Sequence, residues 1–589
     1  MLKKNQFLVL ADAMSYGPCA QRDVAGRVGK SLGTVNTATR QLKEQGALDD
    51  EGSVTEKGAA LLAPYKVDNA IVMAAGLSSR FAPISYEQPK GLMRVRGEVL
   101  IERQIRQLQE AGISDITVVV GYMKEQFFYL EDLLGVKIRV NEEYSVRNNN
   151  STLMLVREQL GNTYICSSDD YFTENVFEPY VYQAYYSGVF YPESTDEYVM
   201  VTGPGKQIVR VDRKGGTGVY GMLGHAYFDR SYSREFRRIL EEEYDRPETA
   251  PKLWEDIFAE HVDELPMVMR AYDAQVIHEF DSLDELASFD PEFINNVDSS
   301  ILDNICKTLG VQRSDVSGIE PINQGLTNLS FKFDAGGSAY VYRHPGAGTD
   351  AIINREAEAF SQGVARDLGL DDTFIFEDPA EGWKISHFVE DAEEMDYHDP
   401  TQVAEALRMA RTLHASGQAS GWRFDVYEKT KEILALLDER HRASFHDFKP
   451  LLELIDGLAG YVAGDGTPEC LCHNDFYSPN LLVAKGKMYL IDWEYSGMSD
   501  YASDLGTFIC CSDYTFDEAL GVLAEYFQRE PTPAECAHCL AYIALSSYYW
   551  FVWALYKDAC GSPVGEWLYL WYKNAKLFGR EARKAIDSL

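Results

Sequence analysis

Cysteine is scarce in this chain, ten among 589 residues, far below the density of a secreted domain stapled by disulfides. The expectation is a reducing compartment, the cytoplasm. Positive charge is also in deficit: 55 Lys and Arg stand against 92 Asp and Glu, a formal charge of −37. Such a chain is repelled by polyanions and anionic membrane surfaces at long range, so nucleic-acid binding by the chain as a whole is disfavoured. Long apolar runs are missing too. The opening MLKKNQFLVLADAMSYG breaks its short apolar run at Asp12, too early for a signal peptide. The uncharged stretch from Cys539 to Tyr556 only reaches the lower limit of a membrane span, and its tyrosines and serines favour a buried helix. Cys536-Ala537-His538-Cys539 is a CxxC with no second pair, which argues against zinc there. Apolar residues are plentiful: 46% of the chain is hydrophobic and 12% aromatic. That is enough for packed cores, and the length implies roughly three or four domains.

Residues 1–66 form the first segment. Ala20–Val28 and Ser31–Gln45 read as amphipathic helices separated by Gly29-Lys30, and Gly46–Gly58 reads as a turn between two short strands. This order resembles the small winged helix-turn-helix domains of bacterial transcription regulators, with Ser31–Gln45 as recognition helix. Nine basic against seven acidic residues make the segment the one part that is not strongly acidic. The wing tip Asp49-Asp50-Glu51 would nonetheless meet phosphates badly. Packing, dimer contact and effector sensing therefore stand beside DNA binding as its roles.

From Asn69 strands and helices alternate. Ala70–Ala75, Ile116–Val120, Lys137–Val140 and Thr163–Cys166 read as strands, and Val99–Ala111 carries Leu100, Ile101, Ile105 and Leu108 at helical spacing. This predicts an α/β, Rossmann-like domain over 67–290 with a mostly parallel sheet and ligands at the carboxyl ends of its strands. The first strand runs into Ala74-Ala75-Gly76-Leu77-Ser78, small residues that let backbone N–H groups approach a triphosphate. Arg80, and Lys90 of Pro89-Lys90-Gly91-Leu92, can neutralise it. A small-residue loop alone is weak evidence; with these cations and a strand ending in Asp169-Asp170 it becomes a specific set.

The set resembles the nucleotidyltransferases that make nucleotide-sugars and CDP-alcohols. The stretches VVVGYMKEQFFYL, YICSSDDYF and IHEFDSLDEL look like bacterial CTP:phosphocholine cytidylyltransferases. The resemblance implies Arg80 and Lys90 as catalytic cations, and Asp169 and Asp281 as holders of the Mg2+ that bridges CTP and the incoming phosphate. Asp281 also reads as a helix cap before Leu283–Ala287. The loop departs from the family at Ser78, where a second glycine is usual. A quaternary ammonium is held by aromatic faces with carboxylates nearby. Trp254, Glu255, Asp256 and Tyr171 are the candidates, core packing being the plain alternative for Trp254.

Asp290–Ser300 breaks the pattern, and 291–589 follows as a third domain. Its most informative stretch is CHNDFYSPNLLVAKGKMYLIDW, Cys472–Trp493. Asp475 is followed five positions on by Asn480, then by a hairpin-like return through Ala484-Lys485-Gly486-Lys487 and a strand ending in Asp492. Phosphoryl transfer needs a carboxylate near the attacking hydroxyl and oxygen ligands for the Mg2+ that holds the phosphates in line. A single D-x4-N is usually only a polar loop; the complete spacing is not. The stretch resembles the catalytic and metal-binding loops of the aminoglycoside phosphotransferase and choline kinase superfamily, a bilobal kinase-like α+β fold. The resemblance implies Asp475 as base, Asn480 and Asp492 as Mg2+ ligands, and His473 as a brace for the loop. It implies a nucleotide loop at Ile322–Phe331, where Gly325, Thr327 and Asn328 cover ATP phosphates. Arg343 follows on the next strands, and Glu356 is its partner on the following helix. Glu358 is the alternative partner, and an ordinary surface ion pair the plain reading. Trp550 and Trp553 share a helix face. By the same resemblance they and Tyr495 box a trimethylammonium group, with Tyr569 or Tyr572 completing the box and core packing as the plain alternative.

Two motif sets for adjacent steps lead to one expectation. The chain phosphorylates choline with ATP and transfers CMP from CTP to phosphocholine, with Mg2+, small-molecule partners and no membrane. The alternatives are the same chemistries on ethanolamine, another amino alcohol or an aminophosphonate, and a DNA-binding regulator that responds to choline or nucleotide.

Overall fold

The computed structural model describes residues 2–280, 282–322, 328–346, 353–437, 445–560 and 564–589, which form two compact units, 1–304 and 305–589. Asp281, Gly325 and Thr327 lie outside the described residues.

The first unit begins with four helices, α1 (Lys4–Tyr16), α2 (Gln21–Arg27), α3 (Leu32–Glu44) and α4 (Glu56–Leu62). Ser31 starts α3 because its hydroxyl accepts the Thr34 amide that the helix leaves unpaired. The expected hairpin after α3 is a single bridge between Leu48 and Val54. The core of this segment, with Phe7, Leu10, Val35 and Leu42 at its centre, runs on into the α/β part. Tyr65 stacks on Tyr182 at 5.6 Å, and Phe7 lies 5.3 Å from the same ring.

Four strands, β1 (Asn69–Ala74), β2 (Ile116–Val120), β3 (Lys137–Val140) and β4 (Thr163–Ser167), run parallel in the order β4-β1-β2-β3. Between β1 and β2 the helix Leu100–Glu110 buries Leu100, Ile101, Ile105 and Leu108 against them. The long strand Gly216–Phe228 adds to β4 antiparallel and extends the sheet. The chain winds outward from β1 through β2 and β3, then returns to the other side of β1. Such a reversal opens a crevice at the carboxyl ends of β1 and β4, where ligands of open α/β sheets bind.

The second unit has a five-stranded antiparallel sheet, in the order Ser317–Ile322, Asn328–Ala335, Ser338–Pro345, Lys384–His387 and Phe374–Glu377, with the helix Arg355–Asp367 beside it. A helical part follows. The expected return after Asn480 is the hairpin Leu481–Ala484 with Lys487–Leu490, whose turn residues Lys485 (φ 51) and Gly486 (φ 79) both take the left-handed conformation of a type I′ turn. The helix Pro533–Ala559 is long and apolar enough to cross a membrane by composition, yet most of it is buried in this unit's core.

Candidate active sites

In the first unit Ala74, Ala75, Gly76, Ser78, Lys90 and Asp169 line a cleft at the ends of β1 and β4, and Leu77 and Arg80 continue its mouth. Ser78 sits at φ 49, a left-handed geometry that costs a residue with a side chain roughly 1–2 kcal/mol. This is the physical reason a glycine suits the position. A Cβ on Gly91 would fall 2.8 Å from Ser168 Oγ, so only glycine lets the Pro89-Lys90 segment close on the strand end. Lys90 Nζ then lies 2.7 Å from Asp169 Oδ2 and 4.7 Å from the Phe81 ring centre. Asp170, one residue on, is buried; burial pushes its carboxyl well up, the charges of Glu279 and Asp169 add to this, and Lys90 opposes it.

The aromatic cage expected in this unit does not assemble. Trp254 is 1% exposed, stacked on Tyr186 at 5.6 Å and edge-on to Phe228, which makes it a core residue. Asp256 accepts the Leu253 amide at the start of the same helix and pairs with Arg213 at 2.9 Å. Tyr171 is covered by the Arg103 guanidinium at 4.7 Å and packs on Phe289. Glu255 alone stays by the cleft, accepting from Asn149, which lines it, and from the Tyr186 hydroxyl, both at 3.2 Å. Burial lifts its carboxyl to about 7. The phase of this short helix decides the outcome: with Trp254 turned into the core, its neighbours point along different directions.

In the second unit Asn480 Nδ2 donates to both the side chain and the carbonyl of Asp475, each at 2.9 Å. The remaining carboxylate oxygen, Oδ1, has no hydrogen-bond partner among the described residues although Asp475 is buried. Burial raises this carboxyl well above its ordinary range, and the charges of Asp492 and Glu494 add to it. Asp492, at φ 64, receives Arg343 Nη1 at 3.2 Å. His473 ties the two loops together: one ring nitrogen lies 2.9 Å from the Ile491 carbonyl and the other accepts the Asp475 amide at 3.3 Å.

Arg343 is buried and pairs at 2.5 Å with Glu358, which Arg355 and Lys384 also reach at 3.2 and 3.3 Å. Glu356 is exposed, so the partner named first from sequence is corrected to the alternative. The helix turns position 358 toward the sheet and 356 toward solvent. Two further acids escaped the sequence reading. Glu494 accepts Asn328 Nδ2 at 3.1 Å, and burial followed by the charge of Asp492 lifts it to about 7. Asp504 accepts the amides of His473 and Asn474 at 2.9 and 2.6 Å and holds His414 at 3.0 Å. Its signal was the acidic SDYASDLG run after Asp492.

A file of aromatic rings leads away from Asp475. Tyr495 lies 6.2 Å from Phe424, Phe424 6.1 Å from Tyr549, and Tyr549 5.1 Å from Trp550. Trp550 in turn packs with Trp553 at 5.5 Å and Trp571 at 5.7 Å. Burial pushes the Tyr495 and Tyr549 hydroxyls up, with Asp475 among the charges acting on both. Tyr549 and Trp571 were not anticipated. Neither tyrosine considered to complete the box takes part: Tyr569 is 68% exposed, and Tyr572 donates to Asp447 at 2.6 Å.

Two family models match the chain, the phosphotransferase enzyme family over residues 318–539 and the MobA-like NTP transferase domain over 70–177. The chain is similar to 2-aminoethylphosphonate cytidylyltransferase of Lancefieldella rimae, 36% identical over 230 residues that cover 38% of this chain and 93% of the relative. It is similar to choline-phosphate cytidylyltransferase of Streptococcus pneumoniae, 32% identical over 218 residues, 37% of this chain and 94% of the relative. It is also similar to Protein LicA of Haemophilus influenzae, 24% identical over 253 residues, 41% of this chain and 94% of the relative.

Proposed function

The chain belongs to the bacterial cytidylyltransferase family of these relatives, with a phosphotransferase-family unit following on the same polypeptide, and we propose that it performs two consecutive steps. The second unit phosphorylates choline with ATP. The first joins phosphocholine to CTP, releasing pyrophosphate and CDP-choline.

The observation that carries this reading is the file of aromatic rings beginning beside Asp475. A trimethylammonium group has no N–H to donate and is recognised by ring faces, and choline places its hydroxyl two carbons from that group. In this reading the cation lies against Tyr495, Tyr549 and Trp550 with the hydroxyl toward Asp475, whose charge acts on the Tyr495 and Tyr549 hydroxyls. Oδ1 of Asp475 is left to accept the hydroxyl proton as the oxygen attacks the γ-phosphorus, while Asn480 fixes the other oxygen. Asn480 and Asp492 offer the hard oxygen donors that Mg2+ takes, and the ion when bound neutralises charge on the phosphates. In the first unit Asp169 offers the same kind of donor. Lys90 and Arg80 face the charge that develops at the α-phosphate.

A second reading, 2-aminoethylphosphonate as acceptor for the first unit, is favoured by one observation: Trp254 and Tyr171 form no cage there. Incubation with ATP, CTP, Mg2+ and choline, with products read by mass, tests the proposal. CDP-choline forming with one pyrophosphate per molecule is expected. Cytidylyl transfer to 2-aminoethylphosphonate and not to phosphocholine would replace it with the second reading.

A further inference from the structure

Next to the His473–Asp475 loop of the second unit, we propose that His414, Cys470 and Cys472 form a binding site for a thiophilic divalent cation of the zinc type. Cys470 and Cys472 flank Leu471 on one short strand, so both thiols leave the same face. Their sulfurs are 3.6 Å apart. Two thiolates on one tetrahedral zinc, each at about 2.3 Å, stand roughly 3.8 Å from one another. The pair is therefore almost at ligand spacing before any ion arrives. A ring nitrogen of His414 lies within 4.8 Å of both sulfurs.

The imidazole is also held as a ligand is held. His414 Nε2 lies 3.0 Å from Asp504, and a carboxylate only accepts, so that nitrogen carries the proton. Nδ1 is left with its lone pair, taken up by the Tyr526 hydroxyl at 2.8 Å. A histidine with one N–H fixed by a carboxylate and the other nitrogen given to the metal is the common form of a zinc ligand, and here Nδ1 is the nitrogen that would take the ion. A cavity lined by His414, Cys470, Tyr526, Arg411 and Glu535 opens at the site, giving a path of entry and room for water as the fourth ligand. On binding, two metal–sulfur bonds and one metal–nitrogen bond form, two thiol protons leave to solvent, and the Tyr526 hydroxyl gives up Nδ1.

The test is titration of the reduced full chain with Co2+, following thiolate-to-cobalt charge-transfer absorption. One equivalent should give the band, and Zn2+ should bleach it. Cys470→Ser should lose the band while phosphotransferase activity is kept. Tyr526→Phe removes the competitor for Nδ1 and should bind Co2+ more tightly than wild type. Absence of the band in wild type, its persistence in Cys470→Ser, or weaker binding by Tyr526→Phe would each overturn the site.

Discussion

Truncation of Glu358 to alanine is predicted to destabilise the second unit heavily, and truncation of Glu356 hardly at all. Glu358 is fully buried among Arg343, Arg355 and Lys384. Removing one partner from such a cluster leaves buried cations uncompensated, at about 3–5 kcal/mol. An exposed glutamate two residues away contributes within about 0.5 kcal/mol. Urea unfolding followed by tryptophan emission is the assay, because Trp254 is the one tryptophan in 1–304 and the other seven lie in 305–589. With a slope of about 3 kcal/mol/M the midpoint should fall by roughly 1 to 1.7 M. The pH dependence follows from the sign of the shift. Burial alone would raise the Glu358 carboxyl, but Arg343, Lys384 and Arg355 overcome it and hold the group at about 2. A depressed carboxyl stabilises fully above its unfolded value, and that contribution fades as pH falls from there through about 2. Glu358 itself therefore adds no pH dependence between about pH 8 and about pH 5. Glu377, lifted to about 8 by burial and then by the Glu358 charge, titrates lower once that charge is gone, so the gap between wild type and Glu358→Ala should narrow as pH rises from about 5 to about 8. Equal midpoints for the two variants, or a gap that widens as pH rises over that range, would refute the reasoning.

Three further outcomes are expected. Trp550→Leu should raise KM for choline by up to about 30-fold, the worth of a desolvated cation–π contact, and leave KM for ATP unchanged; an equal rise in both would remove the aromatic box. Ser78→Gly should relieve the left-handed strain at φ 49 and stabilise the first unit by roughly 1 kcal/mol, read as a higher thermal midpoint of cytidylyltransferase activity; a lower midpoint would contradict it. His538 lies between Asp465 at 2.5 Å and Asp500 at 2.9 Å. Burial would lower its pKa, but the two carboxylates raise it, so its stabilisation is complete below about pH 6.5 and is lost as pH rises through the raised value. Wild type should lose urea resistance on that rise, and a His538→Gln variant that loses as much would show the source to lie elsewhere.

Much of the site was legible because phosphate chemistry ties residue types to short spacings. Asp475, Asn480 and Asp492 lie within one loop and its returning hairpin, so local sequence sufficed. The small-residue loop from Ala74 was legible for the same reason, down to the oddity of Ser78. What was not legible depended on helix phase and distant contacts. Glu356 and Glu358 share a first turn, and only the packing of that helix tells which faces Arg343. Trp254 reads alike as core or cage until its partners Tyr186 and Phe228 are known. Asp504 was signalled only by the acidic run after Asp492, and Trp571 reaches its site from far along the chain, with no spacing to announce it.

The central claim is that each half carries its own reaction centre. Asp475→Asn and Asp169→Asn, each assayed for phosphorylation of choline and for cytidylyl transfer to supplied phosphocholine, test it most directly. The first variant should lose phosphorylation alone and the second cytidylyl transfer alone. Loss of both activities in either folded variant would contradict the account.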